Sequence, residues 1–357
     1  MFAEQEKYDH SIKVLQLAAE MSEKFFQKPL IVCYSGGKDS DVLLRLALES
    51  GINFEVQNSH TTVDAPPTVY HIREVFKELE AKGIKCTIRH PAYKNGQWKT
   101  MWNLIKKKKY PPTRISRYCC SELKETGTKN RFAALGVREA ESVRRRGRSD
   151  FSTRSKSQKE SEYRTLDQAT VVFEQDDDNC KFIQEAKKNK DMICNPIYHW
   201  TDDDVWNFIE DRGIKYNPLY NMGFKRVGCV GCPLASKEER ELEFTLFPQY
   251  KANYIKVFDL MDKSDRAEGT VLSNSGEDIF LWWMEDPRFY GQTELDGWRD
   301  IPSGEGKKAV WWEVSTDPTD LRMRCSNCEQ ISVPTQDMTH CPICGAEIIN
   351  DIRLPQW

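Results

Sequence analysis

A short apolar run, Leu30-Ile31-Val32-Cys33-Tyr34, leads straight into Ser35-Gly36-Gly37-Lys38-Asp39-Ser40, and a helical apolar pattern starts at Val42. This junction constrains the fold more than any other stretch. The run is β-rich and too short for a helix, so it reads as a buried strand. Paired glycines allow a tight turn that brings backbone N–H groups close to a phosphate. The dipole of the following helix favours anions at the same point. Lys38 adds a full positive charge, and Ser35 and Ser40 add hydroxyl donors. The spacing is not that of a Walker A loop, which needs GxxxxGK[ST]. A lone glycine pair would be an ordinary turn; strand, polar loop and helix in sequence point to a nucleotide phosphate.

The flanking pattern repeats the strand–helix alternation. Residues 9–26 place Ile12, Leu15, Ala18, Ala19 and Phe25/Phe26 at helical spacing. FEVQN (54–58) alternates as a second strand. Residues 67–82 begin with Pro67 and set Val69, Ile72, Val75, Phe76 and Leu79 on one helical face, and KCTIRH (85–90) reads as a third strand. Gly51 and Gly83 end the two intervening helices. This alternation predicts an α/β fold with a doubly wound, mainly parallel sheet. Ligands bind such sheets off the carboxyl ends of the strands, where SGGKDS lies. Farther on, Thr201 is placed to cap a helix that opens with Asp202, Asp203 and Asp204, acids suited to its positive end.

Cysteine spacing supplies the second constraint. Of 12 cysteines, Cys325 and Cys328 form one CxxC, and Cys341 and Cys344 another, with twelve residues between the pairs. Each CxxC presents two thiolates on a tight turn, and two such turns complete a tetrahedral site, so a small C-terminal zinc ribbon is expected. A structural clip and a nucleic-acid contact are both open to it. Cys33 and Cys86 lie in apolar or alternating runs and read as small core residues. The chain is organised as an N-terminal helix (1–27), a nucleotide-binding domain (28–235), a helical Trp-rich extension (236–320) and the ribbon (321–348). Six of the 10 tryptophans follow residue 281.

Residues 1–10 carry three acids and no apolar core, so no secretory leader is expected. No apolar run approaches the roughly 20 residues of a membrane span; the longest are LIVCY and FLWWM. A reducing, cytoplasmic setting is therefore expected, without a membrane partner. The net charge of −3 excludes an overall polycation, so contact with nucleic acid must come from local patches. One candidate is 144–159, with seven basic residues against one acid; it reads as a mobile surface loop, either merely solvated or capturing an anion. The lysine run 106–109 has the same two readings.

YSGGKDSDVLL resembles the PP-loop of the adenine nucleotide α-hydrolases, also called ATP pyrophosphatases. RYCCSELK (117–124), GVREAESVRRR (136–146), NPIYHWTDDDVWNFI (195–209) and NPLYNMGFKRVGCVGCP (217–233) narrow the resemblance to the phosphoadenosine phosphosulfate (PAPS) reductase-like branch. It covers about residues 28–235, in order along the chain. The resemblance implies that Ser35, Gly36, Gly37, Lys38, Asp39 and Ser40 hold the pyrophosphate portion of an adenine nucleotide, with Lys38 and Asp39 carrying the catalysis. It also implies that Asp64 meets nucleotide or substrate and that Arg138 faces the substrate anion. Cys119, Cys120, Cys229 and Cys232 match the family's CC…CxxC arrangement, which in some members holds a 4Fe–4S cluster. Four thiolates are the minimum such a cluster needs; a second zinc site and a redox-active pair remain the alternatives. Arg117, Lys124 and Arg226 are placed to offset the cluster's negative charge.

Two reactions compete. Reduction of adenylyl sulfate or its 3′-phosphate to sulfite needs a nucleophilic cysteine, which the reductases resembled here carry in a C-terminal ECGLH-type motif. This chain ends AEIINDIRLPQW, and every cysteine after Cys232 belongs to the ribbon. The reductases also tend to lose the lysine and aspartate of the loop, and here SGGKDS is intact. The alternative is Mg²⁺-assisted cleavage of ATP between the α and β phosphates, adenylation of an acceptor, and sulfur transfer to it. That reading implies a sulfur donor such as a cysteine desulfurase and suits a nucleic-acid acceptor. A third reading, a non-catalytic zinc-ribbon nucleic-acid binder, sits poorly with a complete phosphate loop.

Overall fold

The computed structural model describes residues 2–125, 127–128, 130–141, 145, 148–153, 162–174, 191–264 and 271–284, together with short strands in the C-terminal part. The chain divides into two compact units, Met1–Gly291 and Gln292–Trp357.

A seven-stranded sheet organises the first unit. Its strands are β1 (Leu30–Cys33), β2 (Phe54–Ser59), β3 (Cys86–Arg89), β4 (Arg131–Ala134), β5 (Phe151–Thr153), β6 (Tyr163–Arg164) and β7 (Asp191–Cys194), in the order β3-β2-β1-β4-β7-β5-β6. The first five in that order are parallel; β5 and β6 are antiparallel additions. β1 pairs with β2 (Leu30↔Phe54) on one side and β4 (Ile31↔Ala133) on the other. The chain steps from β1 towards β3 and then returns to β4 beyond β1. The loops after β1 and β4 therefore diverge, which opens a crevice at their carboxyl ends.

The helices follow the expected pattern, with boundaries shifted by a few residues. α1 spans Phe2–Phe26, α2 Lys38–Glu49 and α3 Pro66–Ala81; α1 buries Val14, Leu15, Ala18 and Met21 against the sheet. Next come α4 (Met101–Lys108), α5 (Leu166–Glu174) and α6 (Asp202–Asp211). Thr201 caps α6 as expected: its hydroxyl accepts from Asp204 N–H (3.2 Å), and Asp204 accepts from Thr201 N–H (2.6 Å). Leu30, Val32, Val42, Leu46, Val56 and Phe132 are all buried in this core.

The expectation of one surface loop over 144–159 fails at its centre. Phe151–Thr153 forms β5, every residue of which is buried, and Phe151 packs against Phe132. Three residues are too few to show a two-residue period, and two of them are polar, so the basic context hid the strand. Residues 154–161 lie outside the described residues.

A second core lies under the cysteine motifs. α7 (Lys237–Leu246), α8 (Pro248–Asp259) and α9 (Gly276–Met284) bring Phe244, Tyr254, Phe258, Phe280 and Trp283 together with Leu104, Ile105, Tyr118, Leu123 and Val230. Trp283 donates its indole N–H to Pro112 O (2.7 Å), so α9 is fastened to the segment before Cys119.

The second unit contains β8 (Lys308–Ala309) paired in parallel with β12 (Glu347–Ile348). Its antiparallel sheet has the order β11-β10-β9, from Ile331–Ser332, Met323–Cys325 and Trp311–Glu313. Cys325 ends β10. Cys328, Cys341 and Cys344 lie outside the described residues, and with them the expected zinc ribbon. Among the described residues, no helix is long and apolar enough to cross a membrane.

Candidate functional site

The loop after β1 is held by its own hydroxyls and by a distant segment. Ser40 Oγ donates to Gly37 O (2.7 Å) and lies 3.2 Å from Ser35 N and 3.3 Å from Ser35 Oγ. Gly36 has φ +75°, and a Cβ there would stand 2.9 Å from Ile72 Cγ1, so both backbone and space demand glycine. Asn217 donates from Nδ2 to Gly36 O (2.9 Å) and Thr68 Oγ1 (3.0 Å). Tyr220 OH accepts from Lys38 N–H (3.0 Å). Gly37 gives the α2 N-terminus no side-chain cap, and helix ends of this kind favour anions. Beneath it, Tyr34 OH donates to Asp41 Oδ1 (2.5 Å), and His71 Nε2 lies 3.1 Å from the same oxygen. Burial raises the Asp41 carboxyl above its ordinary range, against the hydrogen bonds of His71 and Tyr34.

Four charges of alternating sign cover the loop. Lys38 Nζ is 3.0 Å from Asp202 Oδ1 and 3.7 Å from Asp39 Oδ2. Arg138 donates from Nε to Asp39 Oδ1 (2.5 Å), from Nη2 to Asp202 Oδ1 (2.8 Å) and from Nη1 to Trp200 O (3.4 Å). Lys38 and Arg138 are almost fully buried, at 5% and 3% exposure. Burial pushes the Asp202 carboxyl upward, but Lys38 and then Arg138 outweigh it and hold it below the ordinary range. Arg145 falls in the same field. Burial lowers its pKa to about 10, helped by repulsion from Arg148, Arg226 and Arg138 and opposed by Asp39. The loops after β1 and β4, the start of α6 and the segment before Cys229 thus share one field of charge in which cations outnumber the two carboxylates.

The cysteine motifs make a second cluster beside it. Val230 N–H donates to Val63 O (2.8 Å), which brings Cys229 alongside Asp64; Cys229 Sγ lies 3.4 Å from Thr61 Oγ1. Asp64 Oδ2 accepts from Thr61 N–H (2.8 Å), and Tyr250 OH donates to Asp64 O (2.8 Å). Asp64 is therefore built into the cysteine turn. The other pair opens a single π turn: Cys119 precedes it and Cys120 begins it, Cys120–Lys124. The seven cysteines whose side chains are described are all free thiols. The four motif thiols share one electrostatic neighbourhood: Cys119 is raised by its hydrogen bond with Cys120, by burial, and by the charges of Cys120, Cys229 and Cys232. Burial pushes Cys229 up to about 12 although Lys124 pulls it down. Lys124 is held charged above its ordinary range, first by Cys229 and then by Asp64.

The donor set is four thiolates from two segments, the minimum an iron–sulfur cluster needs, and the same set can serve a four-thiolate zinc site. Cys120 is lowered to about 6 by its hydrogen bond from Cys119, with Lys124 and Arg117 adding to it against burial. In metal-free reduced protein, the Cys119–Cys120 pair is therefore expected to be alkylated by iodoacetamide before Cys229 at neutral pH. Lys124→Ala should slow that labelling several-fold. Peptide mapping that finds Cys229 modified before Cys120 would contradict the assignment.

The structure gathers Ser35 to Ser40 and Arg138 at one crevice and places Asp64, Cys119, Cys120, Cys229 and Cys232 at the adjoining cluster. Asp202, Asn217, Tyr220 and Arg145 join the site although sequence reasoning gave them no such role. The three acids at the α6 N-terminus were legible only as helix-favouring charges. Asn217 and Tyr220 carry no charge or ligand signature of their own, and only the fold brings them to Gly36 and Lys38.

The phosphoadenosine phosphosulfate reductase domain model matches residues 29–235, and the chain belongs to that family. An uncharacterized protein of Methanocaldococcus jannaschii is 24% identical over 257 residues, 69% of this chain and 45% of that protein. The adenosine 5′-phosphosulfate reductase of Oceanobacillus iheyensis is 39% identical over 51 residues, 14% of this chain and 21% of that protein. The chain thus spans less than half the length of these relatives. Among solved structures, the phosphoadenylyl-sulfate reductase of Candida auris, a phosphate complex, aligns with a TM-score of 0.37 at 16% identity. That alignment covers 61% of this chain and 87% of that one.

Proposed function

We propose that this member of the PAPS reductase family is an ATP pyrophosphatase that adenylates an acceptor and supports sulfur transfer to it. The observation that carries the reading is the complete phosphate loop. Lys38 is present and buried, with an uncapped helix end beside it and Arg138 paired to the same two carboxylates. A triphosphate brings about four negative charges, which this pocket is built to meet. In the nucleotide-free state Lys38 and Arg138 are neutralised by Asp39 and Asp202. When phosphates take the two cations, the two carboxylates become free, and they are the groups suited to hold Mg²⁺, which would neutralise charge on the phosphate oxygens.

Each residue then has a separate task. The loop N–H groups and Lys38 stabilise charge gathering on the leaving pyrophosphate. Asn217 and Tyr220 hold the loop backbone at Gly36 and Lys38, and Arg138 holds Asp39 beside Lys38 until phosphate arrives. The cysteine cluster is the place for an acceptor's sulfur chemistry. A 4Fe–4S cluster on Cys119, Cys120, Cys229 and Cys232 would supply a site where sulfur is held and delivered. The ribbon cysteines Cys325, Cys328, Cys341 and Cys344 are proposed to bind Zn²⁺.

The test is to supply MgATP, a sulfide donor and nucleic-acid acceptors to anaerobically purified protein. The products expected are AMP and pyrophosphate, from protein that contains iron and absorbs broadly in the visible. Sulfite formation from adenylyl sulfate with thioredoxin, without ATP turnover, would replace this reading by the reductase one.

A further inference from the structure

His10, Asp150 and His199 come from three separate parts of the chain, and none of them belongs to the phosphate loop or the cysteine turn. His10 Nε2 is 3.0 Å from Asp150 Oδ1, and His199 Nε2 is 3.7 Å from the same oxygen. The two imidazole rings stand edge-on, with centroids 5.7 Å apart. All three ligating atoms lie within 4.8 Å of one another. We propose that this trio is a binding site for a first-row divalent cation, of which Zn²⁺ is the best-suited common ion.

The separations carry the argument. Zn²⁺ holds imidazole nitrogen and carboxylate oxygen at about 2.0–2.2 Å, so tetrahedral ligand atoms stand roughly 3.3–3.5 Å apart. Observed separations of 3.0 and 3.7 Å bracket that value, so small side-chain rotations close the site. The donor set, two imidazoles and one carboxylate, suits Zn²⁺ and its neighbours rather than Mg²⁺ or Ca²⁺, which prefer oxygen.

The frame is rigid where a metal site needs it. Asp150 is buried, and its other oxygen accepts from Leu166 N–H (2.9 Å), which leaves one oxygen for the histidines. Its backbone carbonyl accepts from Asn195 N–H (2.8 Å). α1 is pinned on either side of His10: Lys7 pairs with Asp204 (2.6 Å), and Ser11 Oγ donates to Pro196 O (2.7 Å) and accepts from Trp200 Nε1 (3.0 Å). His199 is half exposed at 52%, so solvent reaches the open coordination positions. A simple His–Asp hydrogen bond accounts for His10 but leaves unexplained a second imidazole aimed at the same oxygen. A bound cation would join α1 to the segment whose Trp200 O and Asp202 hold Arg138.

His199→Ala is the cleanest test, because the side chain is exposed and its loss leaves the packing intact. The full-length chain would be dialysed against Zn²⁺ and its metal content measured beside the variant. The parent should retain about one equivalent more than His199→Ala, and His10→Ala should match the loss. With Co²⁺ as probe, the parent-minus-variant spectrum should show weak visible bands without the strong near-ultraviolet absorption of thiolate–metal bonds. Titration should show at least about tenfold weaker binding at this site in His199→Ala. Melting curves of the metal-free proteins should coincide, which separates ligand loss from misfolding. Equal metal content in parent, His199→Ala and His10→Ala, or a difference spectrum of thiolate type, would overturn the site.

Discussion

Lys38→Ala is expected to lower ATP-dependent pyrophosphate release by about 10²–10³-fold, the usual cost of removing one preorganised charge-stabilising group from a reacting centre. The loss should appear in the rate more than in stability. Deleting one partner of a fully buried ion pair destabilises by about 3–5 kcal/mol, because the other charge is stranded. Here the stranded partner is Asp202, whose side chain is 60% exposed and keeps Arg138 at 2.8 Å. Water and Arg138 therefore carry it, and the stability cost should stay near the roughly 0–1 kcal/mol of an exposed pair. Lys38→Arg should rescue poorly. The ammonium lies 6.0 Å from the Trp206 ring and 5.8 Å from the Tyr220 ring, and a planar guanidinium needs a different lodging. Pyrophosphate release and thermal melting, measured together, decide the matter. Release within twofold of the parent would remove Lys38 from the reaction and with it the argument for cleavage at the α-phosphate.

The phosphate loop was legible because its chemistry is local. Strand, glycine turn and helix N-terminus occupy consecutive residues, so the pattern in 30–49 already contained the geometry. The parallel sheet was legible for a related reason: β1 is a continuous apolar run, β2 alternates, and β1, β2 and β3 follow one another with single helices between. What sequence could not supply was partnership over long separations. Asp202 meets Lys38 from 164 positions away, and Asn217 reaches Gly36 O from 181 away. No spacing rule announces such contacts. β5 was lost for another reason: three residues in a basic, serine-rich stretch carry no periodic signal. In sequence the helices after residue 236 look like an extension, yet α7, α8 and α9 supply the wall on which the cysteine turn rests.

That wall makes Gly231→Ala the second severe substitution expected. Gly231 lies between Cys229 and Cys232 with φ +72°, a conformation that costs a residue bearing a Cβ about 1–2 kcal/mol. An added Cβ would also stand 2.7 Å from Phe244 Cζ, 2.9 Å from Trp283 Cη2 and 3.2 Å from Tyr254 Cε2. These rings interlock, with Tyr254 and Trp283 centroids 4.7 Å apart and Phe244 and Phe280 5.1 Å apart, so none can retreat alone. Overpacking of this kind costs about 1–3 kcal/mol. The total, about 2–5 kcal/mol, should be read as a lower denaturant midpoint. The same strain falls on the cysteines. Gly231 N–H donates to the buried Glu243 carboxylate (2.6 Å), and Cys232 N–H donates to Cys229 O (3.1 Å), so a backbone shift moves both thiols. Iron content after anaerobic reconstitution should therefore fall more steeply than the folded fraction. A companion variant separates the two causes: Gly231→Ala combined with Phe244→Leu removes the closest ring atom but not the backbone strain, and should recover part of the stability. Parent-like midpoint and parent-like iron in Gly231→Ala would show that the aromatic wall yields freely, and that the turn, rather than its packing, sets the position of the thiols.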